Sequence, residues 1–410
     1  MTAVHDLRRQ AGNLAVEAAR GVLVQVASRI KHGSLRIEFP DGAVRLFGQA
    51  GAAPAADLTI LDPAFYRQVA LAGEIGFGEA YVDGVWRSSD LVTLLTLGIL
   101  NRPHLNLNLP GLRRMTQLAD RRLHLSRRNI SNQARENIHN HYDLGNDFFR
   151  LFLDQTLTYS CAYFSNPEQS LAEAQHNKYL MLCEKARVGR DDHVLEIGSG
   201  WGGFAIYAAR NYGCRVTSVT TSEEQLALAQ RRVEGAGLAD QIEIVLCDYR
   251  EISGQYDAVV SIEMLEAVGA EYLPTFFKKV DESLKPGARA AIQVITVPDR
   301  NYAALRDGVN WVQKYVFPGG MLPSLAEMER SLAETGLLIT EVQDIGPHYA
   351  TTLRRWRTAF MENLPAVRAL GFDDRFIRTW EYYLAISEAS FITRNTADLQ
   401  VVFEKHFSVP

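Results

Sequence analysis

A glycine-rich turn preceded by an acidic residue is the first segment whose residue types could do chemistry. Residues 196–203 have the sequence EIGSGWGG and lie between an apolar, strand-like run and a helical pattern. Glycines let backbone amides approach a ligand closely, and the N-terminus of the following helix faces that ligand. The glycine spacing alone fits either a dinucleotide or S-adenosylmethionine (SAM). An acid two residues before the first glycine, as at Glu196, is typical of SAM enzymes and would contact the amino-acid end of the cofactor.

Polar residues also follow the next two predicted strands. Dinucleotide enzymes commonly place an acid at the end of the second strand, where it binds the ribose hydroxyls. This chain instead has the sequence TTSEEQ (220–225) there. The third strand is followed by Asp248, whose carboxylate could accept a hydrogen bond from an adenine amino group. Carboxyl ends of parallel strands meet at one edge of a sheet, so these segments predict one adenosyl site. The candidate SAM-binding residues are Glu196, Gly198, Ser199, Gly200, Gly202, Thr220, Thr221, Ser222, Gln225, Asp248 and Tyr249.

Strands and helices must alternate to bring these segments together. Helical spacing is found at residues 203–213 and 222–237. Strands are predicted for five short segments rich in apolar or β-branched residues: 193–198, 215–220, 242–247, 256–262 and 288–296. The alternation predicts an α/β, Rossmann-like methyltransferase fold with a mostly parallel seven-stranded sheet.

Three regions are predicted along the chain. Residues 1–100 mix strand-like runs, turns and helical patterns, which predicts a smaller α+β domain associated with lipid or with dimer formation. Residues 101–130 form a connector with six arginines between Arg113 and Arg128. These arginines are either a solvated helix face or a basic patch for anionic headgroups. Residues 131–410 form the catalytic domain.

Composition excludes several classes of protein. The net charge of −5 argues against a nucleic-acid-binding protein. Four cysteines without ligand spacing predict neither a disulfide framework nor a metal site, and they favour a reducing compartment. No apolar run is long enough to span a bilayer, and residues 1–30 have helical spacing unlike a signal peptide. We therefore expect a cytoplasmic protein.

The chain resembles the cyclopropane fatty acid synthase family, which includes mycolic acid cyclopropane synthases. The matching segments are residues 140–149, 157–164, 196–203, 220–225, 264–269, 314–324 and 348–353, with 73–86 similar to the extra domain of the longer bacterial synthases. The resemblance implies a SAM-dependent C-methyltransferase acting on cis double bonds in the acyl chains of membrane phospholipids. In that reaction, methyl transfer leaves a carbocation, a base removes a proton from the new methyl group, and a cyclopropane ring closes. Peripheral contact with the inner face of the membrane and a homodimer are also implied.

The same resemblance assigns candidate catalytic residues. In the family the base is a bound bicarbonate, held by side chains and backbone amides. The positions that match these holders are Cys161, Glu266, Ile295 and Tyr349. Tyr159 and Ser160 match further SAM-binding positions.

Three positions depart from the family pattern. Gln293 replaces a histidine that helps to hold bicarbonate, Glu263 replaces a glycine, and Ser387 lies where a cysteine nucleophile was once proposed. If residues 263–269 begin a helix, Glu263 and Glu266 lie three apart on one face. Two buried carboxylates so close together would raise the pKa of at least one of them. That carboxylate could then accept the proton, with or without bicarbonate.

The changed base region leaves two products open. Ring closure is the first expectation, whereas proton loss from a neighbouring CH2 group gives a methyl-branched alkene. Two other functions are a methyltransferase for a small soluble acceptor and a non-catalytic module that binds lipid or SAM. The aromatic-rich segments and the N-terminal domain count against the first of these. The intact glycine turn, with Glu266 and Cys161 retained, counts against the second.

Overall fold

The computed structural model describes residues 16–105 and 144–406, which fall into two compact units. The described part of the first unit comprises residues 16–105 and 371–393, and that of the second comprises 144–370 and 394–406. The segment 371–393, which the sequence analysis places in the catalytic domain, therefore groups with the N-terminal unit. It does so because its helix packs on two helices of that unit. The six arginines between Arg113 and Arg128 in the predicted connector lie outside the described residues.

The first unit is an α+β structure, as predicted. Its sheet has the order β2-β1-β3-β4, with β1 antiparallel to β2 and parallel to β3. The strands are β1 Ser34–Glu38, β2 Val44–Gly48, β3 Ala55–Ile60 and β4 Trp86–Arg87. The helices are 16–27, Ala64–Ala72, Glu74–Val82, Leu91–Asn101 and Asp374–Ile392. Fully buried aromatic side chains, among them Phe65 and Trp86, form part of its core.

The second unit contains a seven-stranded sheet in the order β10-β11-β9-β8-β5-β6-β7. Its strands are β5 His193–Ile197, β6 Arg215–Thr220, β7 Ile242–Leu246, β8 Tyr256–Ile262, β9 Leu284–Thr296, β10 Leu337–Asp344 and β11 Ala397–Lys405. Strands β5 to β9 pair in parallel, whereas β11 runs antiparallel to both β9 and β10. The predicted mostly parallel, Rossmann-like sheet is therefore confirmed.

Helices cover the sheet of the second unit. They are Asn146–Phe149, Leu171–Lys185, Gly203–Tyr212, Glu223–Gly235, Leu273–Ser283, Asp299–Asp307, Trp311–Tyr315, Leu325–Arg330, Gly346–Glu362 and Leu364–Ala369, with short 3-10 turns at Tyr249–Glu251, Leu265–Ala267 and Ala270–Tyr272. Ser170 begins the first long helix with a capping box, since its side chain accepts from the Glu173 amide while Glu173 accepts from the Ser170 amide. Within residues 16–105 and 144–406, every helix is too short or too polar to span a bilayer.

Candidate active site

The carboxyl ends of β5, β6, β7 and β8 border one cleft. The predicted cofactor residues that line it are Tyr159, Ser160, Glu196, Gly198, Ser199, Gly200, Thr220, Thr221, Gln225, Asp248 and Tyr249. Gly202 and Ser222 are not among the lining residues; they begin the two helices that follow β5 and β6. The side chain of Ser222 accepts a hydrogen bond from the Gln225 amide, so it fixes the start of its helix.

The glycine turn has a backbone that side chains would disturb. Gly198 and Gly200 adopt φ values of 99° and 48°, in the region that favours glycine. The amides of Gly198 and Ser199 both donate to the Val219 carbonyl, at 3.0 and 2.9 Å, which fastens the turn to β6. A Cβ atom on Gly198 would lie 3.2 Å from the Cβ of Met264. The turn is therefore a tight cradle at the edge of the cleft, as a SAM-binding turn requires.

Glu196 is the buried acid of this cradle. Its carboxyl accepts a hydrogen bond from the Ser218 hydroxyl at 2.5 Å, and burial raises its pKa to about 8. The group is therefore mostly protonated at pH 7 in the free protein. A ligand ammonium group would favour its ionised form, so the site fits the amino-acid end of SAM.

Asp248 has a partner that the sequence analysis missed. The Arg250 guanidinium donates to both of its carboxylate oxygens, at 2.8 and 2.6 Å. The Arg250 guanidinium also lies 5.4 Å from the centre of the Tyr249 ring. The Arg250 amide also donates to one of these oxygens, at 3.0 Å. The role of Asp248 towards adenine stays a prediction.

A cluster of polar side chains around Glu263 adjoins the cleft. This cluster, here called the acid cluster, consists of Cys161, Lys178, Glu263, Glu266, Gln293, Tyr349 and Asp398. Glu263 follows β8 directly and also lines the cleft. One oxygen of its carboxylate accepts from the Cys161 amide at 2.7 Å and from the Gln293 side-chain amide at 2.8 Å. The other oxygen accepts from the Tyr349 hydroxyl at 2.6 Å. Four residues predicted from separate segments therefore meet at one carboxylate.

Glu266 does not lie on a helix that begins at residue 263, so that expectation is wrong. Glu263 has a φ of 48°, which is incompatible with a right-handed helix, and only a 3-10 turn covers Leu265–Ala267. One Glu266 oxygen accepts from the Ile295 amide at 2.5 Å, whereas the other is buried without a partner among the described residues. Burial, and then the charge of Glu263, raise the pKa of Glu266 to about 8.

Lys178 is a member of the acid cluster that the sequence analysis missed. It is fully buried, and its ammonium donates to the Ser160 hydroxyl at 2.7 Å. Burial lowers its pKa to about 8, so it is mostly charged at pH 7. A signal for it exists in the sequence, because Lys178 shares a four-residue spacing with the buried residues Ala174 and Leu182.

Asp398 is the second residue that was missed. It is fully buried on β11, opposite Ile295 of β9, and accepts a hydrogen bond from the Gln293 side chain at 3.1 Å. Burial raises its pKa well above the usual range. Asp398 and Gln400 are polar residues on the same face of a strand whose residues 399 and 401–403 are apolar, which is the signal that could have identified them.

Three hydrogen bonds favour the ionised form of Glu263 over those of the other carboxyls in the acid cluster. Burial of its carboxylate raises its pKa, although the residue as a whole is only partly buried because it lines the cleft. The Tyr349 hydrogen bond and the charge of Lys178 oppose this rise. Glu266 accepts from the Ile295 amide and Asp398 from the Gln293 side chain, and burial raises the pKa of both carboxyls.

Aromatic side chains pack beside the acid cluster, since the Tyr349 ring lies 6.1 Å from that of Trp356. The Tyr159 ring lies 5.3 Å from that of Phe149 and 5.2 Å from that of Trp356, as measured between ring centres. Cys161 is fully buried, and burial raises the pKa of its thiol well above the usual value. Its backbone amide contributes to the site, while burial disfavours the thiolate, which is the nucleophilic form of cysteine.

The sheet, the glycine turn and the cleft at four strand ends define the class: the protein is a SAM-dependent methyltransferase. A family model described as mycolic acid cyclopropane synthetase matches residues 129–401. The chain belongs to the mycolic acid cyclopropane synthetase family.

Full-length relatives are similar to this chain. It is 43% identical to the tuberculostearic acid methyltransferase UfaA1 of Mycobacterium tuberculosis, over 88% of this chain and 85% of that protein. It is 36% identical to the cyclopropane-fatty-acyl-phospholipid synthase of Escherichia coli, over 87% of this chain and 89% of that protein. Among solved structures, the mycolic acid cyclopropane synthase CmaA1 in complex with SAH and CTAB has a TM-score of 0.62 and 29% identity. That match covers 66% of this chain and 98% of CmaA1.

Proposed function

We propose that this enzyme transfers the methyl group of SAM to a cis double bond in the acyl chains of membrane phospholipids. The observation that carries the proposal is the position of the acid cluster: Glu263 lines the cleft that the cofactor residues line. Bound SAM supplies an electrophilic methyl group. An acceptor beside it therefore lies next to a carboxylate able to take a proton. The names of the relatives point to acyl substrates in the same family.

The residues around the cleft suit a weak nucleophile. An alkene reacts only when it is held close to the methyl group in a site without competing water. Tyr159 lines the cleft, and its ring belongs to a buried group with Phe149 and Trp356. Methyl addition leaves positive charge on the acyl chain, and aromatic faces stabilise such charge. The chain thus offers both water exclusion and charge stabilisation where the reaction requires them.

Two products fit this chemistry, and we propose the methyl-branched alkene as the main one. Proton loss from a neighbouring chain carbon gives this alkene, whereas proton loss from the new methyl group closes a cyclopropane ring. Glu263 and Gln293 alter the base region, and the relative with 43% identity is named for a methyl-branched acid. The ring, which the sequence alone favours, is the second candidate because of the family description and the Escherichia coli relative.

A deuterium count distinguishes the two products. Purified enzyme is incubated with SAM whose methyl group is fully deuterated and with vesicles of an unsaturated phospholipid. We expect mass spectrometry to show acyl chains that retain all three deuterium atoms and a double bond. A saturated ring with two deuterium atoms would reassign the product to cyclopropane, and unlabelled acyl chains would contradict the proposed function itself.

We also propose that the enzyme works from the cytoplasm as a homodimer in peripheral contact with the inner face of the membrane. The proposed substrate lies in a bilayer, so the enzyme must meet it at a membrane surface. The arginines between Arg113 and Arg128 would attract anionic headgroups there. Sedimentation with anionic vesicles, repeated at high salt, tests this contact because salt screens such attraction.

A further inference from the structure

We propose that the Glu263 carboxylate is itself the base of the reaction, so that the enzyme needs no free bicarbonate. This inference rests on the proposed function, since it concerns the proton that the methylated acyl chain must lose. It is independent of which product forms, because both products require one proton acceptor.

The hydrogen bonds of Glu263 are the first argument. Its carboxylate is held by the amide of Cys161, the side chain of Gln293 on β9 and the hydroxyl of Tyr349 on helix Gly346–Glu362. These donors come from three separate segments and converge on one planar carboxylate. Two of them, at Cys161 and Tyr349, are the groups assigned above to an external bicarbonate. The Glu263 side chain therefore uses the donors that an external anion would need.

The backbone of Glu263 is the second argument. A non-glycine residue at φ 48° is uncommon, and such conformations persist where the surrounding structure holds them in place. Here the Glu263 amide donates to the Gln293 carbonyl at 2.8 Å, which places the residue beside β9 at the end of β8. A glycine would adopt this conformation without strain. The glutamate is thus kept at a position whose backbone favours glycine, and its carboxylate borders the cleft.

The charge distribution is the third argument, because a base must be ionised before it accepts a proton. The titratable groups that face Glu263 are Tyr349, Cys161, Lys178, Glu266 and Asp398. Lys178 is the cation among them, and Cys161, Glu266 and Asp398 have pKa values raised by burial. Glu263 accepts three hydrogen bonds and interacts with the Lys178 ammonium, so the geometry favours the ionised form at this carboxyl.

The step balances without a further reactant. The π electron pair of the alkene forms the new bond to the methyl carbon, and the carbon–sulfur electron pair stays on sulfur. The other alkene carbon becomes cationic. A carbon–hydrogen bond then breaks and its proton moves to Glu263. If the bond is on a chain carbon next to the cation, its electron pair forms the new double bond; if it is on the transferred methyl group, its electron pair closes the ring. The positive charge of the sulfonium is thereby cancelled by the negative charge of the carboxylate.

Two substitutions at this position test the inference. Glu263→Gln keeps the size of the side chain but cannot accept a proton, so we expect turnover to fall at least about a hundredfold with SAM affinity unchanged by calorimetry. Glu263→Gly suits the backbone and removes the carboxylate while leaving its three donors in place. We expect added formate to restore part of the turnover of Glu263→Gly and to raise its melting temperature. Formate should do neither in Glu263→Gln, whose amide fills the same space.

The wild-type enzyme supplies the remaining measurement. We expect its turnover to be the same in buffer depleted of carbon dioxide and in buffer with added bicarbonate. The inference is overturned if depletion abolishes wild-type turnover, or if Glu263→Gln is as active as the wild type. If Glu263→Gln does not fold, the absence of any formate effect on Glu263→Gly overturns it. A wild-type enzyme that labels no acyl chain would instead refute the proposed function.

Discussion

Replacement of Lys178 by methionine is expected to lower turnover at pH 7 at least about tenfold and to shift the acid limb of the pH–rate profile to higher pH. Lys178 is fully buried, and its charge lowers the pKa of Glu263. Without that charge the pKa of Glu263 rises further, so its ionised form appears only at higher pH. A pH profile of turnover measures the shift, which a merely structural role of Lys178 would not produce.

The same substitution should also change stability in a pH-dependent way. A carboxyl whose folded pKa lies above its unfolded value contributes stability at low pH and loses it as pH rises through the folded pKa. We therefore expect the unfolding free energy of Lys178→Met, relative to that of the wild type, to fall as the pH rises from 6 to 8, because the ionised Glu263 then has no buried cation to compensate it. Chemical denaturation at the two pH values measures this difference.

A matched control is Lys285→Met, because Lys285 is half exposed and pairs with Asp257 on the surface. Exposed pairs are worth less than about 1 kcal/mol, so this variant should keep both stability and the pH profile. Equal pH profiles for Lys178→Met and the wild type would show that Lys178 does not support the ionised form of Glu263.

Replacement of Gly198 by valine is expected to weaken SAM binding at least about a hundredfold. Gly198 has a φ of 99°, which a β-branched residue rarely adopts, and its Cβ would lie 3.2 Å from the Cβ and Cγ atoms of Met264. The turn would have to move away from β6, where its amides now bind the Val219 carbonyl. A backbone that moves this far no longer presents the same surface to the cofactor.

Calorimetric titration with SAM tests this expectation, and Gly235→Ala is its control. Gly235 is the last residue of helix Glu223–Gly235, and a Cβ there would meet no atom within 4 Å. The control should bind SAM like the wild type and should be slightly more stable, since alanine favours a helix. Undiminished binding by a folded Gly198→Val protein would mean that this turn does not hold the cofactor.

The fold and the glycine turn could be predicted because their signals are local. The apolar or β-branched runs predict the bounds of β5 to β8 to within one residue, whereas β9 begins four residues before its predicted segment, at Leu284. The helix after Gly202 begins where the glycine spacing indicates. The position of Glu196 in the cleft could also be predicted, because it follows from where β5 ends.

The acid cluster could be predicted only in part, because long-range pairing assembles it. Asp398 reaches Gln293 only because β11 inserts between β9 and β10 near the end of the chain. The helix considered at 263–269 does not form, because Glu263 adopts a backbone conformation that its residue type disfavours. Lys178 was overlooked because lysine is rarely buried without a partner, and its neighbours Ser160 and Glu263 come from other segments.

The most direct measurement of the central claim uses two phospholipids with the same headgroup, one with cis-unsaturated and one with saturated acyl chains. Each is presented as vesicles to the purified enzyme with SAM labelled in its methyl group, and the lipids are then saponified. The proposed function predicts label in the fatty acids of the unsaturated lipid alone. Label in the headgroup fraction, or equal label in both fatty acid fractions, would contradict methyl transfer to an acyl double bond.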